Sequence, residues 1–328
     1  MLKRTAFVTG ASGFLGTNLV RELVVQDWEI TVLHRKTSSL RYISDLPLTF
    51  KQGSIEILDD VLEAMPDKLD AVFHMAADTS FWSRYNQQQY QTNVIGTQNM
   101  VEAALEKKAG RFIYTSSIAS YGFHSTNINE DTASNALNSG INYFITKFQA
   151  EQAVQKAHKK GLNTVILNPA HIIGPFDTHN WAQVITNVSN NQMPGIPDTW
   201  GSFVFAPEVV KAHIAAFHQG QTGHNYILGG VRGSMLEFVN TIEKQLGKPI
   251  SSKTTPLWLL KIACWYYQAA SWFSNKEPIL TPEKIKLLAH KVLCNDSKAR
   301  QALGFQAVPM QQMVSATCRW LEQEKLIA

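Results

Sequence analysis

Through the first half of the chain, short apolar runs alternate with longer stretches whose apolar positions recur every three or four residues. The short runs are TAFVTG (5–10), EITVLHR (29–35), DAVFHMAA (70–77), RFIYTSS (111–117) and NTVILNP (163–169). They are rich in β-branched and aromatic residues and predict strands. The longer stretches, at 14–26, 55–65, 85–108 and 143–161, predict helices. Gly110 and Gly161 suit the ends of the last two. Strands that alternate with helices imply βαβ units, and strands apolar on both faces imply a parallel sheet covered on both sides. After Pro169 the rhythm breaks into a segment rich in Gly, Pro, Asn and Asp. SFVFAPEVVKAHIAAFHQG then reads as a return to the sheet with a helix, and GHNYILGG as a strand. From Ser234 onward the pattern is mostly helical. The expectation is an α/β fold with a doubly wound parallel sheet. Residues 1–168 with about 203–232 would form it, and about 169–202 with 233–328 a smaller, mostly helical lobe.

Composition adds mainly exclusions. The chain has 328 residues, 45% of them hydrophobic, and a net charge of +4. Basic residues occur in pairs or triplets, which is no footprint for nucleic acid. Three widely spaced cysteines, Cys264, Cys294 and Cys318, argue against a disulfide framework and for a reducing, cytoplasmic setting. No Cys/His cluster has metal-site spacing, so no metal is expected. MLKRTAFVTG lacks the apolar core of a signal peptide. PLWLLKIACWYYQAASWF (256–273) is apolar and aromatic, interrupted by Lys261 and Gln268. A buried or pocket-lining helix is preferred there over a helix on a membrane surface, and a true span comes last.

The first strand runs into Gly10-x-x-Gly13-x-x-Gly16 and then a helix. That context fits a pyrophosphate loop: glycines permit a tight turn and close approach, and the helix N-terminus offers free N–H groups. Ser12, Phe14 and Leu15 would share the contact. Where NAD binders place an acidic residue near the ribose, this chain has His34, Arg35, Lys36, Thr37 and Ser38. Basic and hydroxyl groups there suit a 2′-phosphate, so NADP(H) is expected over NAD(H).

Tyr143 and Lys147 lie four residues apart in INYFITKFQAE, but in a chain with nine tyrosines that spacing alone decides little. Order decides more. TGASGFLG, VFHMAA, NVIGT, FIYTSSIASYG, YFITK, LNPAHIIGP and DSKARQALGF with the later Trp320 together resemble the extended short-chain dehydrogenase/reductase family, collinearly over most of the chain. The resemblance implies a Rossmann domain, with Ser117, Tyr143 and Lys147 as the catalytic set. Met75, Ala76, Ala77, Asn93 and Thr115 would line the cofactor path, and Asn168, Pro169 and Ile172 would lie near the nicotinamide. His74 reads as support for the fold, and Asn93 as a structural hydrogen-bonder more than a proton relay. There are departures. Many members have Gly-Asp after the third strand, where the aspartate bonds adenine; here Gly53 is followed by Ser54 and Ile55. Where many have V-x-D-V, this chain has Ala206-Pro207-Glu208-Val209.

The family includes keto reductases, epimerases and dehydratases, so the fold does not name the reaction. A nucleotide-sugar needs basic donors for its diphosphate. After Arg111 only Arg232, Arg300 and Arg319 remain, none expected beside MPGIPDTWGSFVF (193–205). Ile118 and Ala119 follow Ser117, where a dehydratase would want acids. Thr79, Phe81, Trp82, His171, Phe176 and Trp181 are the candidate pocket residues and would suit a hydrophobic carbonyl compound or alcohol. The chain looks nearer the dihydroflavonol reductase and 3β-hydroxysteroid dehydrogenase branch. The expectation is an NADP(H)-dependent oxidoreductase on a lipophilic small molecule. The alternatives are a nucleotide-sugar epimerase/dehydratase and a non-catalytic NADPH sensor. Members of the family often dimerise through the helices near 90–108 and 143–160, so a homodimer is also expected.

Overall fold

The computed structural model describes residues 3–274 and 277–327; the side chains of 272–274 also fall outside the described set. The main sheet contains β1 (Thr5–Thr9), β2 (Glu29–His34), β3 (Leu48–Gln52), β4 (Ala71–His74), β5 (Arg111–Thr115), β6 (Thr164–Pro169) and β9 (Asn225–Leu228). A second sheet contains β7 (His171–Ile173), β8 (Trp200–Phe205) and β10 (Val231–Ser234). The helices are α1 (Phe14–Val25), α2 (Leu58–Ala64), α3 (Asn86–Tyr90), α4 (Gly96–Glu106), α5 (Asn142–Lys159), α6 (Ala182–Ser189) and α7 (Ala206–Gln219). They continue with α8 (Met235–Gln245), α9 (Leu257–Ser274), α10 (Pro282–Leu288), α11 (Ser297–Leu303) and α12 (Met310–Gln323).

The main sheet runs in the order β3-β2-β1-β4-β5-β6-β9, every pair parallel. The chain winds outward from β1 in one direction and from β4 in the other. The crevice beyond the carboxyl ends of β1 and β4 is therefore the topological switch point, where such sheets bind ligands. Leu19, Leu23, Val209 and Val210 of α1 and α7 pack one face of the sheet. Val61, Met100, Val101, Ala150 and Val154 of α2, α4 and α5 pack the other. The doubly wound expectation is met, and the core lies in these two layers.

Two readings are corrected. SFVF does not rejoin the main sheet: β8 pairs parallel with β7 and antiparallel with β10, and β9 takes the edge beside β6. Only Ala170 separates β6 from β7, so the chain leaves the main sheet there and starts the second one. The single long helix expected over 85–108 is interrupted. One π-helical turn, Gln91–Ile95, joins α3 to α4, and such turns often mark functional sites. The smaller lobe packs α6, α8 and α12 on the second sheet around Ile185, Phe203, Phe238, Met313 and Leu321.

Arg111 ties this framework together at the start of β5. Its Nη1 donates to the carbonyls of Ala216, Phe217 and Gly220 at 2.9, 2.9 and 3.0 Å, which closes the C-terminal end of α7. A cation bonding the last carbonyls of a helix satisfies groups that have no intrahelical partner. Arg111→Met should lower the urea unfolding free energy by about 1.5–3 kcal/mol, the usual worth of hydrogen bonds to a charged group. A change within experimental scatter would show that water replaces the guanidinium there.

Candidate active site

The phosphate loop depends on close backbone approach. Gly10 has φ +74°, and a Cβ there would lie 2.7 Å from the Ala76 nitrogen. A Cβ on Gly16 would lie 2.0 Å from the Gly10 carbonyl oxygen. The Gly13 amide donates to that oxygen at 3.0 Å, and α1 begins at the next residue. Ser12, Phe14 and Leu15 are half-buried in this turn. The cradle fits a dinucleotide pyrophosphate, with free N–H groups at the start of α1. Arg35 and Lys36 project exposed just past the end of β2. The Arg35 amide donates to Ser38 Oγ at 3.2 Å, and His34 Nδ1 lies 3.1 Å from the Arg35 carbonyl oxygen. In the Ser54–Ile55 turn, the Ser54 amide donates to Asp60 Oδ2 at 2.8 Å. Asn99 Nδ2 donates to the Ile55 carbonyl at 2.9 Å. Asp60 was not legible as a partner of this turn.

β4 ends at His74, which is fully buried between Thr9 Oγ1 at 2.7 Å and Thr97 Oγ1 at 3.0 Å. Burial, then the Lys147 charge, pulls its pKa to about 3. A neutral, twice-bonded imidazole stacked on Tyr114 supports the fold, as expected. Met75 continues the backbone contact through its amide to the Thr9 carbonyl at 3.2 Å. Ala76 and Ala77 follow, half-buried. Asn93, on the π turn, then clamps the next residue from both sides. Its Oδ1 accepts from the Asp78 amide at 2.7 Å and its Nδ2 donates to the Asp78 carbonyl at 2.9 Å. The same Nδ2 lies 3.1 Å from Thr146 Oγ1 on α5. Asn93 thus joins the loop after β4 to the helix that carries Tyr143 and Lys147.

On α5, Tyr143, Lys147 and Glu151 fall on one face at four-residue steps. Ser117 Oγ accepts from the Ala119 amide at 3.1 Å and faces the Tyr143 phenol, which it stabilises in its ionised form. Burial raises the Tyr143 pKa; Ser117 opposes this, and the Asp78 charge adds to it. Tyr143 therefore keeps its proton at neutral pH. Lys147 is buried and donates to Tyr114 Oη at 3.0 Å and to the Thr115 carbonyl at 2.9 Å. Burial lowers its pKa to about 7, with Glu151 opposing. Sequence reasoning missed Glu151, although its spacing from Lys147 was there to read. Its Oε1 lies 2.7 Å from Ser120 Oγ and accepts from Asn168 Nδ2. Burial raises the Glu151 pKa, opposed by the bonds from Ser120 and Asn168 and by the Lys147 charge. Asn168 Nδ2 also reaches the Ser117 carbonyl at 3.2 Å, so it braces the serine turn from β6. Pro169 follows it in the strand, and Ile172 lies half-buried on β7 against the first sheet layer. Thr115 turns its hydroxyl to His213 Nε2 at 2.7 Å and only its carbonyl to Lys147.

The aromatic candidates separate. Phe81 lies 5.4 Å from the Tyr143 ring, in a cluster with Ala119, Phe123, Ile141, Phe144 and Leu287. Thr79 is exposed on the same loop. Trp82 is instead buried against Tyr85, with the Arg84 guanidinium over its ring. Phe176 is not in this cluster: it packs on Tyr42, Trp320 and Arg21, joining the smaller lobe to α1. Trp181 lies in the lobe core against His171, Phe203 and Phe238. His171 and Trp181 do line a small cavity of about 30 Å³, and Leu287 borders both this cavity and the Tyr143 cluster. A surface hollow of about 650 Å³ is lined by α8 and Gln311 and shares no residue with Ser117, Tyr143 and Lys147. One further expectation fails: Arg232 does lie beside the 193–205 segment. Antiparallel pairing of β10 with β8 sets it directly opposite Ser202. Among the described residues no group of His, Cys, Asp and Glu could hold a metal ion.

Residues 6–229 match the model of the NAD-dependent epimerase/dehydratase family. The chain belongs to that family. It is 28% identical over 327 residues to a putative dihydroflavonol 4-reductase of Synechocystis sp., covering 96% of this chain and 94% of the other. The crystal structure of gox2253 superposes with a TM-score of 0.86 at 26% identity, covering 99% of this chain and 100% of the other. The UDP-glucose 4-epimerase of Thermotoga maritima shares the fold, with a TM-score of 0.80, 18% identity and coverage of 98% and 99%. Relatives of this NAD(P)-dependent family thus include both reductases and sugar epimerases.

Within the family site, Lys147 makes a pH-dependent signature. Its folded pKa, about 7, lies below its ordinary value of 10.5. Between these values the unfolded chain holds a proton that the folded chain has released, so stability rises with pH across the window. The penalty is fully present below about pH 7 and gone above 10.5. The unfolding free energy of the wild type minus that of Lys147→Met should rise by up to about 1.4 kcal/mol per pH unit through this window. Urea titrations at several pH values measure it, and a flat difference would mean the ammonium stays fully charged inside.

Proposed function

We propose that the protein is an NADP(H)-dependent oxidoreductase that reduces a ketone or aldehyde on a hydrophobic small molecule, or oxidises the alcohol. The carrying observation is the Tyr143 phenol set against Phe81, Ala119, Ile141 and Phe144, with buried, twice-bonded Lys147 on the same face of α5. An apolar wall beside a few polar groups suits a lipophilic carbonyl compound. When bound, the nicotinamide supplies the hydride that reaches the carbonyl carbon. Tyr143 gives its phenolic proton to the carbonyl oxygen. Ser117 donates a hydrogen bond where negative charge develops on that oxygen. The Lys147 ammonium stabilises the tyrosinate left behind. Arg35 and Lys36 would hold a 2′-phosphate through charge-assisted bonds. The reductase name carried by the Synechocystis relative supports the same chemistry.

Arg232 opposite Ser202 favours a second reading, a nucleotide-sugar epimerase or dehydratase, because a diphosphate needs a cation. Thermal shift separates the two. NADPH at about 100 times its Kd should add about 2.7 kcal/mol of stability, and UDP-glucose should add nothing. A shift with UDP-glucose would promote the second reading.

Tyr143→Phe should keep NADPH binding and lose about 10²–10⁴ in turnover, measured as NADPH oxidation across a panel of aromatic and aliphatic ketones. Near-normal turnover would remove Tyr143 from its role. Arg35→Ser should weaken NADPH binding more than NADH binding by titration; an equal effect on both would mean the basic tip makes no contact with a 2′-phosphate.

A further inference from the structure

The helix expected to be buried is buried on one stripe only. Leu260 and Cys264 of α9 pack with Leu280 and Ile285, the last on α10. The opposite face is open: Trp258 is 61% exposed, Ile262 60%, Trp265 74% and Tyr266 67%, and Leu259 adds 41% at the margin. Their spacing of four, three and one residues puts the first four on one side of the helix. Five of the thirteen exposed large hydrophobic side chains among the described residues lie on this helix. Single exposed apolar residues are ordinary, but a contiguous apolar face marks a contact surface.

We propose that the outer face of α9 docks this protein on an anionic membrane surface. No helix among the described residues is long and apolar enough to cross a membrane, so α9 would lie in the interfacial plane. Its exposed side chains have the right chemistry. Tryptophan and tyrosine settle at the headgroup level, with an apolar body and one polar atom. The helix contains no Asp or Glu. Lys261 is exposed on its flank, Lys253 is exposed just before it, and Lys286 and Lys291 are exposed on α10 and just beyond. The neighbouring carboxylates do not offset them: Glu277 is taken by Lys284 at 2.9 Å and by Ser80, and Glu283 is half-buried. An apolar face flanked by Lys261, on a helix without carboxylates, complements anionic headgroups. A second copy of the chain fits less well. A twofold contact on this face would set the Lys261 rims against each other, and one helix face falls short of the roughly 800 Å² per partner of a stable interface.

The face is also coupled to the active site. Just beyond α9, Glu277 Oε2 accepts from Ser80 Oγ at 2.9 Å and Oε1 from the Phe81 amide at 3.4 Å. Phe81 lies against Tyr143. A docked α9 would thus hold the catalytic loop close to the lipid phase. The docking rests on α9 alone and is independent of the substrate proposed above.

Sedimentation of the full chain with phosphatidylcholine vesicles, with and without phosphatidylglycerol, tests the proposal. Binding should be strong only with phosphatidylglycerol and should fall as salt is raised. The triple variant Trp258→Ser, Trp265→Ser, Tyr266→Ser should lose at least about tenfold in bound fraction at unchanged melting temperature, because these side chains are exposed. Lys261→Glu should weaken binding to the anionic vesicles alone. Absence of binding at low salt, or equal binding by the triple variant, overturns the proposal. So does a wild-type dimer in light scattering that the triple variant abolishes, which would assign the face to a second copy.

Discussion

An ammonium group held inside a protein must find partners for its hydrogens, and the site is organised around that requirement. Lys147 is 2% exposed. Burying an unpartnered charge costs more than a folded domain can spare. Its hydrogens go to the Tyr114 hydroxyl and the Thr115 carbonyl, both at the carboxyl end of β5. Its charge faces the Tyr114 ring, 4.7 Å away, and the Glu151 carboxyl one turn further along α5. These partners fix how α5 sits on the sheet. Once α5 is fixed, Tyr143 reaches Ser117 at the end of the same strand. The balance stays close: burial still holds the Lys147 pKa near 7, so its proton is poised for exchange near neutral pH.

A second constraint meets the first across the switch point. Gly10 and Gly16 allow the loop after β1 to touch the chain after β4, and no side chain fits between them. That contact sets the depth of the crevice. Asn93 then fixes where the chain goes beyond it, through two bonds to Asp78 and one to α5. The π turn is intelligible on this account. One widened turn lets a helix that packs on the sheet also aim an amide at a loop and at a neighbouring helix. The glycine-lined crevice and the Tyr143–Lys147 face of α5 are therefore parts of one hydrogen-bonded unit.

Much of this was legible in the sequence because it obeys local rules. The central strands of the main sheet are apolar on both faces, and the glycine spacing sits between a strand and a helix. β3 was hard to read because it is an edge strand with mostly exposed or half-buried residues. The β8 assignment failed because strand pairing is a long-range choice: SFVF looks the same whichever sheet receives it. Arg232 shows the same limit, since sequence distance hid its place opposite Ser202. Among the aromatics, composition could not tell Phe81, beside Tyr143, from Phe176 and Trp181, which hold the lobe together. Glu151 was readable by spacing, but its role depends on Ser120 and Asn168, which arrive from the turn after β5 and from β6.

The 256–273 segment tests the difference between apolar and buried. Hydrophobic content there argued for an interior helix, yet its residues divide by helical angle. Leu260 and Cys264 turn inward, and Trp258 and Trp265 outward. Nothing in the fold required that choice: a helix packed on α10 needs one apolar stripe, and polar residues could have filled the rest. An exposed aromatic face carries a solubility cost that has to be offset by contact with something. Beyond the helix, Glu277 grips the loop that carries Phe81 to Tyr143. An apolar outer surface and an apolar inner wall are thus joined through one carboxylate. On the docking and the reaction proposed above, a lipophilic substrate leaving a membrane at α9 would meet the loop that carries Phe81 first.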